Sequence, residues 1–138
     1  MRSEFLRRAA PLFFSVVALG LATASVAQDK AARTDPATLK PTGKVVSCLS
    51  MNSVRSTIQA GDKVIMFNTS NGQWFRNDLK NGCSLLGSGR ILVFNHMTNG
   101  QYCSLDSFAV VDSASRVNYG SCSLGEFTPV TVPKNAKF

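Results

Sequence analysis

The sequence predicts an all-β fold: a small antiparallel barrel or sandwich of about six or seven short strands, stapled by disulfides. Three observations lead there. From Val45 onward, short β-prone runs alternate with clusters of turn residues. Asn-Gly occurs at 71–72, 81–82 and 99–100, and this dipeptide accepts the positive φ that tight hairpins require. Four cysteines, an even number, fall at Cys48, Cys83, Cys103 and Cys122. No stretch after Val45 carries a long 3.6-residue apolar period, so no amphipathic helix is expected.

The elements follow in order. Val45 to Cys48 opens the domain, and Cys48 to Arg55 has room for one helical turn. Val54 to Ala60 is a mixed run that ends at the Gly61-Asp62 turn. In Lys63 to Thr69, Val64 and Met66 share one parity while Ile65 and Phe67 share the other. Both faces are apolar, which predicts a central strand. Ser70-Asn71-Gly72 turns the chain into Gln73 to Leu79, which carries Trp74 and Phe75. After Asn81-Gly82 and the loose Gly87-Ser88-Gly89 comes Arg90 to His96, read as a second two-sided strand. Gln101 to Ser104 and Phe108 to Asp112 are strand-like. Ser113 to Gly120 reads as a polar loop and Ser121 to Phe127 as a last strand, with Pro129 and Pro133 ending regular structure.

The N-terminus reads as an export signal. Arg2, Arg7 and Arg8 precede an apolar run from Leu12 to Ala24, and Ser25-Val26-Ala27 places small residues at the cleavage positions. The run is shorter than the roughly 20 residues that a spanning helix needs. The expected domains are therefore a cleaved signal peptide (1–27), a flexible leader (28–44), a single β domain (45–132) and a basic tail (133–138). The leader holds almost no bulky apolar side chains with which to offset its ordering entropy. No membrane span is expected once the signal is removed.

The formal charge of +7 is spread unevenly. Residues 45–132 carry six basic residues against five acids, a dispersed +1. Nucleic-acid binding calls for a clustered basic face, so a nucleic-acid partner is not expected. The cysteines lack the Cys-x-x-Cys spacing of zinc sites and thiol-redox enzymes. Structural disulfides in an exported, periplasmic or secreted protein are expected instead, and no cofactor. Four cysteines allow three pairings. Cys48–Cys122 with Cys83–Cys103 is favoured, because it ties the opening of the domain to its last strand and closes a short central loop.

Several stretches resemble a family as a set. They are Val54-Arg55-Ser56 leading into Asp62-Lys63-Val64-Ile65, then Trp74-Phe75-Arg76-Asn77-Asp78-Leu79 with Cys83. Tyr102-Cys103-Ser104-Leu105-Asp106 follows, and the run from Cys122 through Leu124-Gly125-Glu126-Phe127-Thr128-Pro129-Val130 closes the set. The order resembles a family of small exported four-cysteine bacterial proteins that carry a domain of unknown function. Ser84 departs from the proline that often follows the cysteine of that family's aromatic-Arg-Asn-x-Leu run, and the segment around His96 departs as well. The resemblance implies an envelope location and a disulfide-bearing β domain, and it carries over no catalytic residue.

Three residues stand out as binding candidates. Trp74 and Arg76 share one strand face, and an exposed Trp-Arg face suits a sugar or protein partner; a core Trp74 with Arg76 lying over it is the competing arrangement. His96 is the sole histidine, so any Ser-His or Cys-His mechanism must use it. Its neighbour Met97 would point to the opposite strand face, which argues against a joint copper site. Gly87-Ser88-Gly89 fits neither a nucleophile elbow nor a phosphate loop. Asp78, Asp106, Asp112 and Glu126 could supply a carboxylate pair, although none sits in a distinctive frame. The reading favours a non-enzymatic binding or structural module of the cell envelope, with an envelope protein or polymer as partner. A small inhibitor of a secreted hydrolase and a minimal carboxylate-based cell-wall or sugar hydrolase are the alternatives.

Overall fold

A computed structural model of the chain describes residues 32–95 and 98–138. The expected signal peptide (1–27), residues 28–31 of the expected leader, and His96 with Met97 lie outside the described residues. The fold is all-β, and every strand pair is antiparallel. Nine strands are described rather than six or seven: β1 (Cys48–Ser50), β2 (Val54–Gln59), β3 (Val64–Thr69), β4 (Trp74–Asp78), β5 (Arg90–Phe94), β6 (Gln101–Cys103), β7 (Ser107–Asp112), β8 (Asn118–Ser123) and β9 (Phe127–Val130). They form sheets in the orders β2-β3-β4-β9, β5-β7-β8 and β1-β6, and the sheets do not close into a barrel. The helical turn expected near Met51 is a 3-10 turn at Met51–Ser53.

β3 is the central strand its two-sided pattern predicts. Ile65 and Phe67 face one core, and Val64 and Met66 face another. The first core lies between the four-stranded and three-stranded sheets and gathers Leu79, Phe108, Val110, Leu124 and Phe127 around Phe67. Phe67 sits at the middle of an aromatic group, with ring centroids 5.2 Å from Phe127 and 5.7 Å from Tyr102. Such tilted and edge-on pairs add to what their buried area contributes.

The second core draws in residues of the expected leader and tail. Within residues 32–44, Pro36 and Leu39 are buried and the other residues are mostly exposed. Leu39 is buried against Val64, Met66 and Val130, with Val132 and Phe138 completing the cover. Pro41 bridges Val130, and the Thr42 amide donates to the Pro129 carbonyl. The leader's few apolar groups suffice because the outer face of β3 supplies the rest. The basic tail packs too, with the Thr34 amide donating to the Lys137 carbonyl.

Further corrections have local causes. Arg90–Phe94 is an edge strand, not a two-sided one, because Ile91 and Val93 remain exposed. The expected loop at Ser113–Gly120 ends early, at β8. The expected last strand, Ser121–Phe127, divides into β8 and β9, because the chain between them presses Gly125 against Asp78. Pro129 lies inside β9: its backbone points away from β4 toward Thr42, so its missing N–H costs the β4 ladder nothing. Of the three Asn-Gly turns, only Asn71-Gly72 joins strands that pair with each other.

The cysteine pairing differs from the favoured one. Cys48 is bonded to Cys103 and Cys83 to Cys122. The reason is strand pairing: β1 runs beside β6, placing Cys48 directly opposite Cys103 with Cα atoms 4.0 Å apart. The two bridges interleave along the chain, and no cysteine is free. Two disulfides fit an oxidising, exported environment. Among the described residues, no helix is long and apolar enough to cross a membrane.

Candidate binding site

Trp74 and Arg76 do share a face of β4, but the terminal segments cover it. Trp74 joins the second core and lies 6.1 Å from the Phe138 ring. Arg76 donates through Nη1 to the Pro36 carbonyl at 3.1 Å and through Nε to Asp78 Oδ2 at 3.0 Å. Only 16% of its side chain is exposed. The pair therefore ties the N-terminal segment to the sheet and does not offer an open Trp-Arg patch. His96 lies outside the described residues, so the three candidates are not brought together.

What the fold does bring together is the set of motif stretches. Asn77, fully buried on β4, donates through Nδ2 to the Gly125 carbonyl at 2.7 Å and accepts from the Gly125 amide at 2.9 Å. One carboxamide thus satisfies both backbone groups of a buried residue, which would otherwise be costly to desolvate. Gly125 has to be glycine, because a Cβ there would collide with the Asp78 carbonyl oxygen.

Beside this lock, Ser104 and Leu105 form a turn between β6 and β7. The Cys48–Cys103 bridge holds one end. Asp106 holds the other, its carboxylate accepting from the Cys103 amide at 2.7 Å. Leu105 and Asp106 also exchange backbone hydrogen bonds with Leu124, at 2.9 Å each. The result is a leucine at φ 74°, in the left-handed region, with 66% of its surface exposed. Both features are unfavourable: the backbone conformation costs about 1–2 kcal/mol for an L residue, and the side chain stays in water. Strain kept in place by several surrounding bonds is the kind found at recognition sites.

Leu105 overlooks an open cleft of about 430 Å³, lined also by Val45, Asp78, Lys80, Glu126 and Thr128. Two of the four acids considered for catalysis, Asp78 and Glu126, therefore reach one cleft. The other two are engaged in turns: Asp106 as described, and Asp112 by accepting from Ser115 and Ala114. Those bonds, led by the Ser115 amide and hydroxyl, hold the Asp112 carboxyl below its ordinary value. Burial pushes the Tyr102 phenol up. Among the described residues, no three His, Cys, Asp or Glu side chains cluster as metal ligands.

Sequence reasoning missed Leu105, Asn77 and Gly125 as individual residues, although all three lie in the stretches that carry the family resemblance. No protein-family model, curated protein or solved structure matches the chain.

Proposed function

We propose that the protein is an exported envelope protein, periplasmic or secreted, whose sandwich-like scaffold serves binding rather than catalysis, with the Leu105 turn as its recognition tip. The observation that carries this reading is Leu105 itself, an exposed leucine held in a strained conformation by a disulfide, a carboxylate and two backbone bonds. An apolar side chain held exposed beside a cleft with charged side chains on its rim offers a contact point for a protein partner. Rigidity lowers the entropy cost of docking. The same feature supports the second reading, a small inhibitor of a secreted hydrolase, since a pinned apolar tip suits insertion into an enzyme pocket. A carboxylate-based hydrolase would have to work through Asp78 and Glu126, one of which is already paired with Arg76.

Leu105→Gly tests the reading, because glycine relieves the strain and removes the anchor at once. The variant is expected to melt at a higher temperature, corresponding to about 1 kcal/mol. In parallel crosslinking from envelope extract, it is expected to lose partners that the parent chain captures. A more stable variant that captures the same partners would remove the turn from the recognition surface.

A further inference from the structure

We propose that the gap between β2 and β5 is a docking site for one extended strand of a partner protein, an acidic segment with apolar residues at alternate positions. The gap is separate from the Leu105 turn, and the inference does not depend on that turn's role.

The two sheets share no ladder bond between β2 and β5, their neighbouring outer strands. An open cleft of about 750 Å³ runs between them, lined by Thr57 and Gln59 on one wall and Arg90 and Leu92 on the other. Ladder phase fixes where the backbone groups on these walls point. Ala60 donates to Val64, so alternation sends the peptide groups of Thr57 and Gln59 away from β3 and into the gap. Ser113 donates to the Gly89 carbonyl, so those of Arg90 and Leu92 point away from β7 and into the same gap. Two rows of strand donors and acceptors therefore face each other.

One side chain already spans the gap. Gln59 donates through Nε2 to the Arg90 carbonyl at 2.8 Å and accepts at Oε1 from the Gly87 amide at 3.1 Å. Its carboxamide does what one peptide group of an intervening strand would do. Paired strands lie about 4.8 Å apart. Here a whole glutamine side chain is interposed, as expected where a backbone is missing between two edges. Beyond Gln59, Thr57 and Leu92 have no such substitute among the described residues.

The sheets' other outer edges are protected. β9 is covered by residues 41–46. β8 is broken by the register shift opposite Val110 and by Gly120 at φ 128°. β2 has its own shift at Val54/Ser56, away from the stretch that lines the gap. β5 is regular over all five residues, and regular unprotected edges recruit strands.

Charge selects the occupant. The charged residues on the cleft are Arg33, Arg90 and Asp62, a surplus of one cation. Arg90 lines the cleft, and its guanidinium lies over the Tyr119 ring of β8, 4.2 Å from its centroid. A second copy of this net cationic chain is disfavoured there, and an acidic segment is favoured. Alternate residues of the incoming strand would face Leu92, which packs against the first core, and apolar side chains match that surface.

The test pans a random heptapeptide library on phage against the purified, oxidised full chain, and the enriched peptides are then synthesised. Peptides that alternate apolar with acidic residues are expected. N-methylating either alternate set of their backbone amides is expected to weaken binding about tenfold, because one set faces β2 and the other faces β5. Thr57→Pro removes an N–H that faces the gap and leaves the β3 ladder intact, so it is expected to weaken binding about tenfold. Arg33→Glu is expected to weaken the acidic peptides specifically. Enrichment no better than on an empty support, enrichment of basic peptides, or binding indifferent to N-methylation would overturn the proposal. The methylated peptides decide the matter on the parent chain should Thr57→Pro fail to fold.

Discussion

Asn77 shows how much of this fold rests on single polar groups. Its carboxamide is the sole side-chain partner of both Gly125 backbone groups among the described residues, inside a fully buried site. Asn77→Ala leaves a buried donor and a buried acceptor without partners and opens a small cavity. A loss of about 2–4 kcal/mol is expected, read from the shift in denaturant midpoint at unchanged slope. Asp112 makes a contrasting, pH-dependent contribution. Its carboxyl is held below the ordinary value of 3.8 by the Ser115 and Ala114 bonds and the nearby Arg90. A depressed folded value means that the stabilisation is fully present above the unfolded value and is lost as pH falls through the folded one. Asp112→Asn should therefore melt below the parent chain at neutral pH, and the two curves should converge only in strong acid. Parallel curves down to pH 2 would show that the carboxylate charge is not what holds this turn. Neither residue announces its role in the sequence. Asn77 lies unremarked within the strand-like run Gln73 to Leu79, and its partner lies 48 residues away. Leu105 is still less legible, since left-handed positions usually signal themselves with Gly or Asn. Here distant bonds to Leu124 impose the conformation.

At the scale of elements, local signals are the ones the sequence exposes. The β3–β4 hairpin is legible because parity alternation and Asn71-Gly72 lie within one short window. The pairing of β1 with β6 is not, because fifty-odd residues separate partners that are only three residues long. Once that pairing is known, the cysteine connectivity follows directly. The two disulfides then have different work to do. Cys48–Cys103 fastens a two-stranded ribbon that would be marginal alone. Cys83–Cys122 ties the loop after β4 to β8 and so links the two larger sheets. Loop-closure entropy assigns each about 4 kcal/mol, but the losses should appear in different places. Cys83→Ala with Cys122→Ala is expected to lower the global unfolding free energy by roughly that amount. Cys48→Ala with Cys103→Ala is expected first to raise amide exchange from Gln101 to Leu105, with the β3 amides staying protected. Hydrogen exchange on the two double variants separates these outcomes.

Across the whole molecule, the four-stranded sheet is buried on both faces, and the second face is finished by residues outside the region that looks like a domain. Composition alone marks 32–44 and 133–138 as tails. Yet Leu39 and Phe138 pack with Val132 over Val64, Met66, Trp74 and Val130, and Arg76 donates to the Pro36 carbonyl. Composition does not reveal this cover, because burial is a property of the pair of surfaces. A segment with few apolar side chains can still cover a strand that supplies its own. This arrangement predicts a specific effect at a distance in sequence. Phe138→Ala removes a half-buried ring lying 6.1 Å from Trp74, at an expected cost of about 1–2 kcal/mol. Because Trp74 is the protein's single tryptophan, its emission reports on the second core without interference. A shift to longer wavelength should accompany the loss of stability, and Leu39→Ala should produce the same pair of changes from the opposite end of the chain. If each variant shifted the emission without changing the melting temperature, the outer layer would be a loose cover rather than a second core. If neither quantity moved, the terminal segments would not pack on the sheet in solution, and the Trp-Arg face of β4 would return as an open surface.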